Sequence, residues 1–157
     1  DASQFGIDWN GSAGLYLHQC DFERNGSSGN AGTGCINYAL HNPLSEYSGL
    51  HMLNCWMERN TGGYLVKINP GGHSISTIQA TVGRFNTEYG NPTQKGLWVV
   101  GGSNTNWVKV TASSFKDNDV DYYCDGPNAI IQTEMVAPGI STAVNGGVIR
   151  SVDSLFA

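Results

Sequence analysis

Two glutamates occur at the same place in two similar segments of the chain. Glu23 and Glu58 lie 35 positions apart, and an arginine directly follows each of them, Arg24 and Arg59. If the two segments lie on neighbouring strands, the carboxyls are roughly 5 Å apart. Retaining glycosidases hold an acid and a nucleophile at this spacing. We therefore predict Glu23 and Glu58, with the nearby Asp21, as catalytic candidates. The alternative is that the arginines neutralise two solvated glutamates.

The residues that alternate with these positions suit a sugar ligand. Aligning the two segments places Tyr16 beside His51 and Asp21 beside Trp56. Aromatic rings offer flat apolar faces, and charged or polar groups bind hydroxyls. The predicted substrate-binding residues are Trp56, Tyr16, His51, Arg24 and Arg59. Sugar binding without chemistry is a further alternative.

Other ligand classes lack their signatures. The four histidines (18, 41, 51 and 73) have no metal-site spacing, and the acidic run at 117, 119, 121 and 125 lacks the EF-hand order. We predict no metal and no cofactor. The formal net charge is −5 and the 8 Lys and Arg are scattered, which disfavours nucleic acid. No apolar run is long enough for membrane insertion.

Internal repeats indicate which elements must position these residues. Residues 14–25, 49–60 and 107–118 align without gaps, and 75–86 is a weaker copy. Apolar residues alternate with period 2 in each copy, which predicts strands with one buried face. The chain also contains 21 glycines, which disfavours long helices. Each copy closes on an asparagine, and we expect these side chains to bond between copies: Asn25, Asn60, Asn86 and Asn118.

A second apolar run follows each copy. These runs are Cys35–Leu40, Tyr64–Ile68, Leu97–Val100 and Val120–Cys124. Cys20 and Cys55 share one inward position with Ser113, and we expect free buried thiols; a disulfide between Cys20 and Cys55 is the alternative. Strands that recur about every 30 residues predict a solenoid, and the absence of leucine-rich or propeller patterns leaves a parallel β-helix.

The segment Leu50-His-Met-Leu-Asn-Cys-Trp-Met-Glu-Arg-Asn60 resembles the repeats of pectate-lyase-like right-handed parallel β-helices. Gly/Asn/Ser-rich loops such as 25–34 and 87–96 resemble those of bacteriophage tailspikes and depolymerases. The resemblance implies an all-β solenoid of about four to five coils over residues 1–135. Residues 136–157 would then form a last coil or an extension that packs on a neighbouring chain. No Asp cluster typical of the calcium-binding pectate lyases is present.

The uncapped start and apolar tail lead us to expect a fragment of a longer chain, and the resemblance to tailspikes implies a homotrimer. The leading hypothesis is part of a tailspike in the virion tail. It would recognise, and in one version depolymerise, a bacterial surface polysaccharide as a glycosidase or lyase. Two alternatives are a non-catalytic structural or trimerisation module, and a secreted bacterial pectate-lyase-like enzyme or adhesin.

Overall fold

A computed structural model describes residues 6–11, 14–26, 30–40, 50–69, 78–83, 93–102, 106–111, 118–134 and 139–152. Within these ranges the chain forms fourteen β-strands and no helix. The predicted all-β class is thus confirmed for the described residues. Nothing in these ranges is a helix of the length and apolarity needed to cross a membrane.

The strands form three sheets. Sheet A contains β1 (Ile7–Gly11), β4 (Gly34–Leu40), β7 (Gly62–Asn69), β9 (Thr93–Val100), β11 (Val120–Asp125) and β13 (Ser141–Val144). Sheet B contains β2 (Leu15–His18), β5 (Leu50–Leu53), β8 (Ile78–Gly83), β10 (Asn106–Thr111), β12 (Ala129–Glu134) and β14 (Val148–Val152). Sheet C contains β3 (Asp21–Glu23) and β6 (Trp56–Glu58).

All three sheets are parallel, and they grow in the same order. Consecutive strands along the chain belong to different sheets. Within each sheet, every strand pairs with the previous strand of that sheet in the sequence. We call a sheet A strand, together with the strands that follow it before the chain returns to sheet A, a row. Row 1 is β1–β3, row 2 is β4–β6, and rows 3 to 6 are the pairs β7–β8, β9–β10, β11–β12 and β13–β14. Row 6 lies within residues 136–157 and pairs with row 5 of the same chain. The division at residue 135 and the packing on a neighbouring chain stay predictions.

The strand register agrees with the main sequence repeats. Leu15 pairs with Leu50, and Glu23 pairs with Glu58, so rows 1 and 2 have the predicted offset of 35 residues. The predicted second runs are the cores of β4, β7, β9 and β11. Lys109 falls in the same column as Tyr16 and His51, as predicted, with Thr81 between His51 and Lys109.

The weaker repeat at residues 75–86 has a different register from the predicted one. Aligning Asn60 with Asn86 would set His51 opposite Thr77, whereas the structure pairs His51 with Thr81. The shift is four residues, an even number, so the apolar alternation is the same in both registers. The predicted alignment of this copy was therefore wrong. Asn86 itself lies outside the described residues.

The interior lies between the sheets and is filled from all of them. Tyr38 of sheet A, Leu50 and Met52 of sheet B and Met57 of sheet C belong to one buried apolar cluster. The predicted inward position of the cysteines is confirmed, because Cys55 is buried in this cluster and Cys20 packs against it. Both thiols are free, and Ser113 lies outside the described residues.

Two left-handed residues in each of rows 1 and 2 bend the chain between strands. Gln19 and Asn54 have φ of 54°, and Arg24 and Arg59 have φ of 59° and 55°. Pairing continues through the bends, because the Gln19 amide donates to the Leu53 carbonyl at 2.9 Å and the Arg24 amide to the Glu58 carbonyl at 3.1 Å. The bends thus redirect the chain without separating the two rows.

Asn60 connects row 2 to row 1, as predicted for the closing asparagines. It is fully buried; its Oδ1 accepts from the Asn25 amide at 2.9 Å, and its Nδ2 donates to the Phe22 carbonyl at 2.9 Å. Asn118 differs, because its Nδ2 donates to Asp121 Oδ1, three residues away, at 3.0 Å. This bond of Asn118 is local, and the ladder of side chains is confirmed for Asn25 and Asn60.

Replacing Asn60 with Ala should destabilise the protein. The change leaves the Asn25 amide and the Phe22 carbonyl without this buried partner, which costs about 1–3 kcal/mol. The control is Asn37→Ala, because Asn37 donates to Asp8 at an exposed site and its loss should cost clearly less. Urea unfolding of both variants measures the two costs. Equal losses would contradict the bridging role of Asn60.

The thiols should react with a disulfide reagent at very different rates in the native protein. Burial raises the pKa of the Cys35, Cys55 and Cys124 thiols, which disfavours the reactive thiolate. Cys20 is only partly buried. We expect one fast thiol, lost in Cys20→Ser, and three slow ones. Fast reaction at Cys55 would contradict the inward assignment.

Candidate functional site

Six of the eight predicted site residues lie on strands of rows 1 and 2, in two sheets, and Arg24 and Arg59 directly follow β3 and β6. Tyr16 pairs with His51 on sheet B, and Glu23 pairs with Glu58 on sheet C. Asp21 pairs with Trp56, one outward position away from the glutamates. The bends at Gln19 and Asn54 separate the two groups, so they form two adjoining faces rather than one.

The glutamates and arginines form one alternating charged network. Arg24 Nε lies 3.2 Å from Glu23 Oε1, and Arg59 Nη1 lies 3.2 Å from the same oxygen. Arg59 Nε also lies 3.2 Å from Glu58 Oε1. Arg59 therefore bridges the carboxylates of two successive rows. This is the neutralised arrangement that the sequence offered as the alternative to catalysis, and the catalytic assignment itself stays a prediction.

Trp56 completes the network on the row 2 side. Its Nε1 donates to Glu58 Oε2 at 3.3 Å, so both oxygens of Glu58 have partners. The Glu58 side chain is 22% exposed and that of Glu23 is 42% exposed. Asp21 is exposed beside them. The face thus presents a carboxylate with two arginine contacts, a half-buried indole and an open carboxylate.

The sheet B face has a different character. The rings of Tyr16 and His51 stack with centroids 4.6 Å apart and an interplanar angle of 7°. Tyr16 is 73% exposed, so one face of this stack is open to solvent. An open depression of about 460 Å³ lies beside it, lined by Tyr16, Leu17, His18, His51, Met52 and Leu53. A flat ring next to a shallow depression can hold the apolar face of a sugar.

Sequence reasoning missed two residues of this depression. His18 and Leu53 pair with each other in the column next to Tyr16 and His51, and Leu53 is 50% exposed. The available signal was the period-2 alternation, which assigns His18 outward together with Tyr16.

The acidic run has a structural role that the sequence did not predict. Asp121 is buried, not solvated; its Oδ1 accepts from Asn118 and its Oδ2 from the Ile140 amide at 2.8 Å. Asp125 accepts from Asn145 Nδ2 at 2.9 Å. Within the described ranges, no group of three His, Cys, Asp or Glu side chains is close enough to hold a metal ion. His41, His73 and Asp117 lie outside those ranges.

Comparison with known proteins identifies no relative. No protein-family model, no curated protein and no solved structure matches the chain significantly.

Proposed function

We propose that the chain is part of a right-handed parallel β-helix of a bacteriophage tailspike and that its outward face binds a bacterial surface polysaccharide. The observation that carries the proposal is the exposed Tyr16–His51 stack beside an open depression, next to the arginine–glutamate network of sheet C. The virion tail is the corresponding location. Depolymerisation of the bound polysaccharide is the catalytic extension of the same proposal.

The order and pairing of the rows support the β-helix interpretation. Parallel strands of successive rows pair in register, and the sheets share one buried interior. About 98% of crossover connections between parallel strands of one sheet are right-handed, which supports the right-handed form. The pectate-lyase-like resemblance of residues 50–60 points the same way.

The chemistry of the outward faces supports a sugar ligand. The open ring of Tyr16 offers an apolar face, and its hydroxyl offers a hydrogen bond. Close to Tyr16 along the chain or across the strand pair, His51, Arg24 and Asp21 add hydrogen-bond donors and acceptors for the hydroxyl groups of the sugar. Because one column repeats about every 4.8 Å, a chain of sugars can contact several rows at once.

Catalysis would use the glutamate pair. Glu23 and Glu58 are direct register partners, so their strands are about 4.8 Å apart, close to the carboxyl spacing of retaining glycosidases. In that mechanism one glutamate donates a proton to the leaving oxygen while the other attacks the anomeric carbon. The arginine contacts suit a binding surface equally well, so binding is the primary proposal and hydrolysis its extension.

A structural or trimerisation module is the second candidate function. Trp107, Ile130 and Val148 form one outward column on the later rows of sheet B. Trp107 is 39% and Val148 38% exposed, and Val152 nearby is 44% exposed. Exposed apolar columns of this kind favour contact with other copies of the chain. This column is at the opposite end of sheet B from Tyr16, so trimerisation and sugar binding are compatible.

Polysaccharide binding should depend on Tyr16. The probes are lipopolysaccharide and capsular polysaccharide purified from a panel of bacterial strains. Tyr16→Ala should weaken binding about tenfold, because a stacked ring contributes roughly 0.5–1.5 kcal/mol beyond its burial. Gln132→Ala, in the same column but three rows beyond His51, is the control and should bind normally. No binding by the unmodified chain to any probe would contradict the proposal.

Turnover, where a bound polysaccharide is cleaved, should depend on the glutamates. Glu23→Gln and Glu58→Gln should each lower reducing-end release by about a hundredfold or more, since each removes an acid or a nucleophile. Both side chains face outward, so circular dichroism should show unchanged folding. Unchanged turnover in both variants would exclude the glutamate pair, and binding without turnover in the parent chain would leave binding as the function.

Assembly should depend on the apolar column. Light scattering is expected to give a trimer for the parent chain, and Val148→Glu should dissociate it by placing a charge on the contact face. Leu53→Glu, at the other end of sheet B, is the matched control and should remain trimeric. A stable monomer for the parent chain would contradict the trimer.

A further inference from the structure

The outward face of sheet A carries a cluster of two lysines and three aromatic rings that the proposed function has not used. Lys67 Nζ lies 4.1 Å from the ring centroid of Trp98, and Lys95 Nζ lies 4.5 Å from the same centroid. Lys95 Nζ is also 4.8 Å from the Tyr123 ring, and Lys67 Nζ is 5.6 Å from the Tyr64 ring. We call these five residues the lysine–aromatic cluster.

The aromatic rings fix the cluster across three rows. Trp98 makes edge contacts with Tyr64, with centroids 5.9 Å apart, and with Tyr123, with centroids 6.1 Å apart. Tyr64 is nearly fully buried, whereas Trp98 and Tyr123 are partly exposed. The cluster is therefore a packed surface that presents two ammonium groups and the partly exposed rings of Trp98 and Tyr123.

The ammonium group of Lys67 lies in a setting that disfavours its charge. The pKa of Lys67 is lowered by its partial burial and by the nearby charge of Lys95. The carboxylate of Asp125 acts in the opposite sense but does not cancel the lowering. A bound anion would favour the charged form of Lys67. The cluster is thus electrostatically suited to receive a negative group.

Two carboxylates on the outward columns of sheet A accept hydrogen bonds from asparagines. The column of Lys67 runs through Asp8, Asn37, Trp98, Tyr123 and Thr142. Its one carboxylate, Asp8, accepts from Asn37 Nδ2 at 2.8 Å. In the next column, Asp125 accepts from Asn145. Lys109 lies on a different sheet, sheet B, and forms an ion pair with Glu134 at 2.6 Å.

We propose that the lysine–aromatic cluster binds the carboxylate-bearing sugars of an acidic polysaccharide. The carboxylate of a uronic or sialic acid unit lies against the ammonium groups of Lys67 and Lys95, and its ring lies against Tyr123. This inference rests on the proposed function and names its substrate class. Nucleic acid is a different class of polyanion, and the overall charge of −5 disfavours it.

The test compares acidic polysaccharides with matched neutral ones. The probes are polygalacturonate, alginate and polysialate, each paired with its carboxyl-reduced form, and binding is measured by calorimetry with the full chain. At least one acidic probe should bind about tenfold or more tightly than its reduced form, and added salt should weaken that preference. Single-stranded DNA is included and should bind more weakly than the preferred acidic probe.

Variants separate the cluster from the rest of the surface. Lys67→Gln combined with Lys95→Gln should abolish the preference for the acidic form, and Lys109→Gln should retain it. Thermal unfolding checks that each variant is folded. If the double variant loses stability but keeps the preference, the cluster only packs the sheet and the inference is overturned; tightest binding to DNA also overturns it.

The outcomes also distinguish this inference from the proposed function. Binding of neutral bacterial polysaccharides that depends on Tyr16, with no preference for acidic probes, overturns the inference and leaves the proposed function standing. No binding of any polysaccharide, acidic or neutral, overturns both.

Discussion

The parallel hydrogen bonding between equivalent residues of successive rows is the constraint on which the rest of the structure depends. Strands paired in this way are about 4.8 Å apart, and a shift of one residue would exchange their inward and outward sides. The number of residues between rows is far less constrained. Tyr16 pairs with His51, 35 residues on, whereas Gln132 pairs with Arg150, 18 residues on. The strands therefore keep their register while the connections change length.

This constraint divides each strand into structural and functional positions. Inward columns fill the interior with apolar side chains, and Asn60 satisfies the backbone groups of row 1 within it. Outward columns are free to carry chemistry, and the three sheets carry different kinds. Sheet C holds the charged network, sheet B the Tyr16–His51 stack and an apolar column, and sheet A the lysine–aromatic cluster. A long ligand or another copy of the chain can contact such columns over several rows.

Sequence periodicity predicted β2, β3, β5 and β6 and their register, because these repeats are nearly identical in pattern. It failed for residues 75–86, since a shift of four keeps the same alternation and asparagines are too frequent to mark a register. The left-handed bends were not predicted, although Arg24 and Arg59 occupy equivalent positions. The cluster on sheet A was not predicted, because it lies on the second runs, whereas all predicted site residues lie on the first segments of the repeats. Aligning the second runs would have set Lys67 beside Trp98.

The most direct test of the stacked rows is a distance measurement along one outward column. Spin labels at residues 16 and 150 occupy the first and last rows of sheet B, five strand spacings apart, in a Cys20→Ala background. Dilution with unlabelled chain removes contributions between copies. Pulsed electron paramagnetic resonance should give a single distance of about 24 Å. A much longer distance, or a broad distribution without a peak there, would contradict the stacking of the rows.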